Sequence, residues 1–339
     1  MTLQYVTKKE NSVFSGKCVA SIVTARGYFL GSSFPISVVD KQTIIYGNYD
    51  GTLCKLNVPE MLNTKHQTHQ ITKWVSEPKE CIGCCAILSD KIIVTGSHDK
   101  KLKLWTIPQN KSEDFKCEMS LEGHSYHVNC CAILPDKRLV SCSFGELKIW
   151  NICLHDLSLS KCELSLKTHP DNDDDNLIKC CAVLPDGRII IGGDDKLLTI
   201  YKIQKNDNGV EEIVLDLVLK GHTSFVNCCA VLPDGKIISG SNDNTLKIWN
   251  INQSSIHDKE ISCDLTLRGH TKEVACCSVL PDGCVVSGSV DKTLKIWNLK
   301  NGKCKSTLQA GNTDVRSCAV LPDGSIVTVS GDSIVKIWN

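Results

Sequence analysis

The sequence lacks the surplus of positive charge that binding to phosphate groups generally needs. Lys and Arg number 38, Asp and Glu also number 38, and the formal net charge at pH 7 is zero. Nucleic-acid backbones and anionic membrane surfaces attract proteins with a basic surplus or patch. Arginine, the side chain best suited to bidentate phosphate binding, occurs only five times. We therefore expect neither a nucleic-acid nor a membrane partner, and the scarcity of arginine disfavours phosphopeptide recognition.

Long apolar segments are also absent. No stretch approaches the roughly 18 unbroken apolar residues of a membrane helix, and residues 1–15 lack the apolar core of a secretory signal. Cysteine is abundant, at 21 residues. Secreted disulfide scaffolds, however, place dense cysteines in short chains that cannot build a core, and 339 residues are enough for a core. We predict reduced thiols, a cytoplasmic location and a short amino-terminal tail over residues 1–15.

The sequence does contain one motif in many copies, for example "NCCAVLPDGKIISG" from Asn227. Its Pro-Asp turn recurs at five positions, and two degenerate copies have another residue in place of the proline. Successive copies lie 41 to 50 residues apart, and the two most similar, Leu219–Ile251 and Leu267–Leu299, agree at 22 of 33 positions. The turn prolines are Pro135, Pro185, Pro233, Pro281 and Pro322, and Asp40 and Ser89 replace the proline in the degenerate copies.

Within one copy, the pattern predicts short strands joined by tight turns. The apolar runs are "VNCCAVL", "KIISGS" and "TLKIWNI", and a fourth, "SCDLTLRGH", ends at His270 before the next copy. In "PDG", proline presets φ and glycine accepts a positive φ. No helical period of useful length is present. Four short strands in each copy are typical of a β-propeller blade.

The best copies resemble a WD-repeat, as in "LKGHTSFVNCCAVLPDGKIISGSNDNTLKIWN". The shared features are a Gly-His pair, an Asp in the tight turn and a Trp followed by a polar residue. The resemblance implies an all-β fold, a seven-bladed β-propeller with four antiparallel strands per blade, as one domain over residues 16–339. The expected repeats are at about 28–75, 76–122, 123–167, 168–220, 221–268, 269–309 and 310–339.

The two ends of the chain suggest how the ring closes. The last copy stops at "VKIWN", a third strand, so its blade lacks a fourth. The segment "GKCVASIV" from Gly16 matches "GKCKSTLQ" from Gly302, which is a fourth strand. We expect residues 16–24 to supply the missing strand of blade 7, with Lys17–Thr24 pairing with Val335–Asn339.

The adjacent cysteines of the motif, such as Cys228 and Cys229, raise the question of a metal or redox site. They fall on the first strand, where wedge-shaped blades converge, so both faces of this strand should press on neighbouring blades and carry small apolar side chains. A free cysteine behaves as a small buried hydrophobe. Adjacent strand residues also point to opposite faces, which disfavours a shared metal. We predict that these thiols pack, and we expect no metal and no cofactor.

The resemblance implies a buried hydrogen-bond network of His, Ser or Thr, Asp and Trp in each complete blade. His124 and Trp150 of blade 3 form only a partial set, because Phe144 takes the Asp position. A Ser-His-Asp trio also suggests a hydrolase, but a catalytic site would occur once, so a structural role is favoured. The complete sets are His222, Ser239, Asp243 and Trp249 in blade 5 and His270, Ser287, Asp291 and Trp297 in blade 6.

One acidic segment, "HPDNDDDN", places Asp171, Asp173 and Asp175 at alternate positions, as in a calcium loop. It lacks the glycine and the glutamate of such a loop, because Asn176 and Ala182 stand at those positions. An exposed acidic loop is therefore favoured over a cation site, and both interpretations stay open.

The loops from strand four to strand one and from strand two to strand three open on the same face. The resemblance implies that this face is the usual partner-binding surface. Only 5% of the chain is aromatic, yet six aromatic residues map to these loops, and exposed aromatics are common anchors of binding hot spots. The predicted partner-binding residues are Tyr28, Phe29, Tyr49, His98, Tyr126, His127, Phe144, Leu177, Phe225 and Glu273.

We predict a non-catalytic scaffold, a monomer by itself, that binds a protein or peptide partner on this face. One alternative is a propeller enzyme with a metal or cofactor in the central channel, but the first strands offer mostly Cys, Ala and Ser rather than converging carboxylates and His. Another is a ubiquitin-ligase substrate receptor, which "WNI" and "WNL" disfavour because such receptors often have Trp-Asp-x-Arg there. A third is a secreted bacterial effector that acts on host proteins in the host cytosol.

Overall fold

Seven β-sheets stand side by side in a ring, one for each copy of the motif. The computed structural model describes residues 18–23, 35–47, 51–58, 72–75, 80–109, 113–168, 176–251, 260–332 and 334–339. Within these residues the elements are 29 strands and one 3-10 helix, η1 (Leu157–Leu159). None of the helical structure described is long and apolar enough to cross a membrane. The predicted all-β fold with seven blades is confirmed.

The strands of the first half follow the repeats in chain order. The chain begins its described part with β1 (Cys18–Val23). Blade 1 contains β2 (Ile36–Val38), β3 (Thr43–Gly47), β4 (Thr52–Asn57) and β5 (Thr72–Val75). Blade 2 contains β6 (Ile82–Ile87), β7 (Ile92–Ser97), β8 (Leu102–Thr106) and β9 (Lys116–Leu121). Blade 3 contains β10 (Cys130–Ile133), β11 (Leu139–Cys142), β12 (Glu146–Asn151) and β13 (Lys161–Lys167).

The second half continues the same order with one additional strand. Blade 4 contains β14 (Ile178–Val183), β15 (Ile189–Gly193), β16 (Leu198–Lys205) and β17 (Glu211–Lys220). Blade 5 contains β18 (Val226–Val231), β19 (Ile237–Ser241), β20 (Thr245–Trp249) and β22 (Leu265–Arg268), and β21 (Glu260–Ser262) precedes β22. Blade 6 contains β23 (Val274–Val279), β24 (Val285–Ser289), β25 (Thr293–Asn298) and β26 (Lys303–Gln309). Blade 7 contains β27 (Val315–Val320), β28 (Ile326–Ser330) and β29 (Ile334–Trp338).

The Pro-Asp-Gly turn joins the first two strands of a blade because its residues fit the backbone angles that the turn requires. In blade 5, the Leu232 N–H donates to the Lys236 carbonyl at 2.8 Å, and the Gly235 N–H donates to the Leu232 carbonyl at 2.9 Å. Gly235 has a φ of 82°, which glycine adopts without steric cost. In blade 3, Lys137 takes the same position with a φ of 76°, which any residue with a Cβ disfavours.

Neighbouring blades share hydrophobic clusters. One cluster joins Ile238 and Leu246 of blade 5 to Trp297 of blade 6, and another joins Tyr46 of blade 1 to Val335 of blade 7. The first strands of neighbouring blades are in contact at all seven interfaces. Each fully buried aliphatic or aromatic side chain stabilises the fold by about 1.5–3 kcal/mol, so the interfaces between blades supply much of the stability.

The first strands are less enclosed than the sequence predicts. In β18, only Val226 is fully buried, and Cys228 and Cys229 are both partly exposed, whereas all five residues of β19 are buried. Both faces of β18 still contact the first strands of the neighbouring blades, β14 and β23, as the sequence predicts, and the exposure arises at the edge of the strand. The first strand is the edge of its sheet nearest the axis, so no further strand shields it on that side.

Blade 4 departs from the predicted four strands. The short strand β21 pairs in parallel with β17, aligning Val218 with Glu260 and Lys220 with Ser262, so this sheet has five strands. β17 runs for ten residues and would otherwise present a long unpaired edge, which proteins commonly cover. A segment that precedes the last strand of blade 5 therefore completes the outer edge of blade 4.

The sheet of blade 7 contains strands from both ends of the described chain. β1 pairs antiparallel with β29, and Cys18 lies opposite Trp338. The first and last residues of the predicted pairing segment, Lys17 and Thr24, lie outside the described residues.

Candidate functional site

Two sets of loops form one face of the ring. In most blades, the loop from strand two to strand three is joined by a backbone hydrogen bond to the loop that leads into strand one. In blade 5 the Asn242 N–H donates to the Phe225 carbonyl at 2.9 Å, and in blade 6 the Val290 N–H donates to the Glu273 carbonyl at 3.0 Å. Blades 2, 4 and 7 have the equivalent bond. The side chains on these loops are therefore presented on a rigid backbone.

Two histidine rings are in contact on this face at the junction of blades 2 and 3, with their planes tilted by 35°. The ring centroids of His98 and His127 are 4.3 Å apart. Nδ1 of His127 lies 2.7 Å from the His98 carbonyl oxygen, so this nitrogen carries the proton and donates it. Burial, together with the neighbouring His127, lowers the pKa of His98, and this imidazole is therefore uncharged at neutral pH.

Blades 3 and 4 add two aromatic rings and a leucine. Tyr126 is 51% exposed, and its ring lies 4.9 Å from the ring of Phe144 and 5.6 Å from the ammonium nitrogen of Lys100. Phe144 in turn forms an isolated antiparallel bridge with Leu177 of blade 4. The Tyr126 and Phe144 rings are therefore in contact within blade 3, and the backbone of Phe144 pairs with that of Leu177 in blade 4.

Blade 5 contributes Phe225 to the same face. Its side chain is 37% exposed, and the ammonium nitrogen of Lys179, from blade 4, lies 4.3 Å from the ring centroid, which is a cation–π distance. The same ammonium forms an ion pair with Asp194 at 2.7 Å. The term "aromatic rim" denotes the six residues His98, Tyr126, His127, Phe144, Leu177 and Phe225.

The other predicted partner-binding residues are not part of the aromatic rim. Glu273 is exposed on the equivalent loop of blade 6. Tyr28, Phe29 and Tyr49 lie outside the described residues, and so does the acidic segment 171–175.

Blade 6 contains a chain of four hydrogen-bonded side chains. The Trp297 Nε1–H donates to the Ser287 hydroxyl oxygen at 2.8 Å, that oxygen lies 2.8 Å from His270 Nε2, and His270 Nδ1 lies 2.8 Å from an Asp291 oxygen. An indole can only donate and a carboxylate can only accept. The serine hydroxyl therefore donates to Nε2, and the Nδ1–H of a neutral His270 donates to Asp291.

Blade 5 repeats this geometry with Trp249, Ser239, His222 and Asp243, at 2.9, 2.7 and 2.7 Å in the same order. Ser239 is fully buried. Its hydroxyl accepts one proton from the indole and donates its own to the histidine. A hydrolase nucleophile needs an accessible hydroxyl, so the geometry of this Ser-His-Asp trio fits a structural role.

The network shifts the acid–base behaviour of its ionisable groups. Burial alone would raise the pKa of Asp291, but hydrogen bonds from Thr293, His270 and Thr271 lower it to about 2. Burial lowers the pKa of His270 despite its hydrogen bond to Asp291. A neutral histidine beside an ionised carboxylate is therefore the state of this network at neutral pH.

Blade 3 completes the same network with a residue that the sequence analysis missed. Glu146 Oε2 lies 3.1 Å from His124 Nδ1, His124 Nε2 lies 2.6 Å from the Ser141 hydroxyl, and Trp150 donates to that hydroxyl at 2.8 Å. The prediction of a partial set is wrong, because the longer glutamate side chain reaches the histidine from the first position of β12. Phe144 occupies the Asp position in the alignment and leaves the carboxylate role to Glu146.

Comparison with known proteins agrees with this geometry. The family profile described as "WD domain, G-beta repeat" matches residues 69–106, 115–151, 160–202, 214–250, 261–298 and 302–339. The chain belongs to the WD40-repeat family. Comparison with curated protein sequences finds no match. WD40 propellers are typically protein-interaction scaffolds.

Among solved structures, the WD40 β-propeller domain of Doa1 is similar to this WD40 propeller. The TM-score is 0.72 at 19% sequence identity, over 96% of this chain and 97% of that chain. At this level of identity, the similarity shows the fold alone.

The cysteines of this WD40 propeller meet across its blade interfaces, which the sequence analysis also missed. The thiol of the first cysteine in one blade lies beside the thiol of the second cysteine in the next, as for Cys180 with Cys229 and Cys228 with Cys277, and each neighbouring thiol helps to raise the pKa of Cys229 and of Cys228. Adjacent strand residues point to opposite faces, so the two cysteines of one blade face different neighbours. The alternating direction of side chains along the first strand therefore predicts that cysteines of neighbouring blades meet. The same pairing joins Cys84 to Cys131 and Cys276 to Cys318.

Proposed function

We propose that this WD40 propeller is a non-catalytic scaffold that binds a protein or peptide through the aromatic rim. The observation that supports this most directly is the exposure of two large aromatic side chains, Tyr126 at 51% and Phe225 at 37%, on the same face of blades 3 and 5. Exposed aromatic side chains supply much of the binding energy of protein interfaces.

The rigidity of the loops adds to this support. The Phe225 carbonyl accepts a hydrogen bond from the Asn242 N–H, and Nδ1 of His127 donates to the His98 carbonyl. Tyr126 rests against Phe144. A surface already held in one conformation loses little entropy when a partner binds. The aromatic rim therefore suits a partner that presents apolar or aromatic side chains to fixed rings.

A second group of exposed apolar side chains provides the comparison surface. Leu159 is 65% exposed and Val210 is 60% exposed, and both lie in connections between the third and fourth strands. These connections follow the far ends of β12 and β16, away from the loops of the aromatic rim. Both side chains are more exposed than Tyr126. Replacing them therefore removes a similar amount of apolar surface from a different part of the molecule, and serves as a control for replacing the aromatic rim.

The test compares one triple variant of the aromatic rim with one double variant of the comparison surface. Proteins that co-purify with the wild type are identified by mass spectrometry, and the affinity of the recombinant partner is then measured by titration. The triple variant Tyr126→Ala, His127→Ala, Phe225→Ala is expected to lose binding by tenfold or more, since a hot-spot residue contributes about 2 kcal/mol or more. The double variant Leu159→Ala, Val210→Ala is expected to bind as the wild type does. Unchanged binding by the triple variant would place the partner site elsewhere.

A further inference from the structure

Blade 3 differs from the other double-cysteine blades at one position of its second strand. In the other four blades, the residue opposite the first cysteine is glycine, as Gly240 is opposite Cys228. A Cβ on Gly240 would lie 2.7 Å from the Cys228 sulfur and 2.6 Å from a methyl carbon of Val274. Blade 3 has Cys142 at this position, opposite Cys130. The four other double-cysteine blades therefore have no side chain at this position, whereas blade 3 has one that ends in a sulfur.

Cys142 adds a third sulfur to the thiol pair between blades 3 and 4. The Sγ atoms of Cys130, Cys142 and Cys181 all lie within 4.8 Å of one another. Cys130 and Cys142 are buried, and Cys181 is partly exposed. In the part of the chain that the structure describes, no other three His, Cys, Asp or Glu side chains bring their ligand atoms as close together.

The spacing and surroundings of the three sulfurs fit a metal ion. A bond from zinc to sulfur is about 2.3 Å, so three sulfurs on one ion lie roughly 4 Å apart, which small side-chain rotations can reach. The neighbouring side chains include Leu147 and Ile178 and are apolar. Calcium and magnesium require oxygen ligands, whereas thiolate sulfur selects copper(I) and zinc.

We propose that Cys130, Cys142 and Cys181 bind one thiophilic metal ion, Cu(I) or Zn(II), at the interface of blades 3 and 4. As each metal–sulfur bond forms, an S–H bond breaks and its proton passes to solvent. The ion keeps its oxidation state, so no oxidant or reductant is consumed. Zn(II) takes a water as its fourth ligand on the exposed side of Cys181, whereas Cu(I) needs only the three sulfurs.

The experiment uses the full chain, reduced with a phosphine and kept anaerobic. The protein withdraws Cu(I) from a chromophoric Cu(I) chelator in one arm and Zn(II) from a chromophoric Zn(II) chelator in the other. Cys142→Gly restores the glycine of the other blades and is the main variant, and Cys181→Ala is the second. We expect the wild type to bind one equivalent more than either variant in at least one arm.

The matched control removes a thiol pair that has no third sulfur. Cys318→Ala breaks the pair with Cys276, which faces Gly288 instead of a cysteine, and should keep the wild-type stoichiometry. Binding by exposed cysteines is common to all variants and cancels. X-ray absorption of the loaded wild type should show three sulfur neighbours. Equal uptake by the wild type and Cys142→Gly in both arms, or coordination without three sulfurs, would overturn the proposal.

Discussion

Replacing Asp291 by alanine removes the acceptor at the end of the buried network of blade 6. The carboxylate accepts hydrogen bonds from His270 Nδ1, from the Thr271 N–H, and from the N–H and hydroxyl of Thr293. Leaving a buried donor without a partner costs about 1–3 kcal/mol, and the His270 side chain is fully buried. We expect the free energy of unfolding to fall by about 2 kcal/mol, which lowers the melting temperature by ~3 °C for a chain of 339 residues.

The pH dependence of this effect follows from the pKa of Asp291. The pKa is about 2 in the folded protein against an ordinary value of 3.8, so between these values the unfolded chain binds more protons and stability rises with pH. One pKa unit corresponds to about 1.4 kcal/mol, which limits the contribution to about 2.5 kcal/mol before solvent screening is considered. The difference between wild type and Asp291→Ala should therefore be complete above about pH 5, decrease as the pH falls through 3.8, and vanish only below about pH 2.

The assay is urea and thermal unfolding followed by tryptophan fluorescence, at neutral pH and through the acid range. Asp282 provides a matched control, because it is a turn carboxylate of the same blade with 59% of its side chain exposed. Asp282→Ala should change stability by less than about 1 kcal/mol. If Asp291→Ala has the same urea midpoint and melting temperature as the wild type and Asp282→Ala, the hydrogen-bond network does not stabilise the blade.

Three further substitutions test local features. Lys137→Gly should stabilise the protein by about 0.5–1 kcal/mol, because glycine accepts the positive φ of this turn, and an unchanged urea midpoint would argue against strain there. Gly240→Ala should destabilise it by about 1–3 kcal/mol, because the added Cβ meets the next blade at contact distances shorter than normal, and a wild-type melting temperature would show that the interface can relax. Glu146→Ala should lower stability by about 1–2 kcal/mol through the unpaired His124, with Glu146→Gln losing less, and equal melts for both variants would remove Glu146 from the network.

The fold was predictable because its determinants recur along the chain. Each Pro-Asp turn and each Trp of a third strand marks one blade. The number of blades can therefore be predicted even where a single copy of the motif is degenerate. β21 was not predictable, because the repeat pattern assigns Ser262 to the fourth strand of blade 5, whereas Glu260–Ser262 pairs in parallel with a strand of the preceding blade. Such pairing depends on where two blades lie in space, which the repeat pattern does not describe.

The site was predictable only in part. Position within the repeat placed Tyr126, Phe144 and Phe225 on the correct loops, but it could not show which rings stack and which remain exposed. Glu146 escaped detection because its longer side chain compensates for a two-residue offset from the usual Asp. The cluster around Cys142 depends on side chains from two blades, and no comparison within one blade reveals it.

The pairing of β21 with β17 makes blade 4 dependent on a segment of blade 5. Most blades could be duplicated or deleted as cassettes, because each sheet is built from one contiguous stretch of chain. Blades 4 and 5 cannot be separated in this way, since deleting blade 5 would also remove β21 and strip the outer border from β17. We therefore expect that blades 4 and 5 can be duplicated or deleted only together.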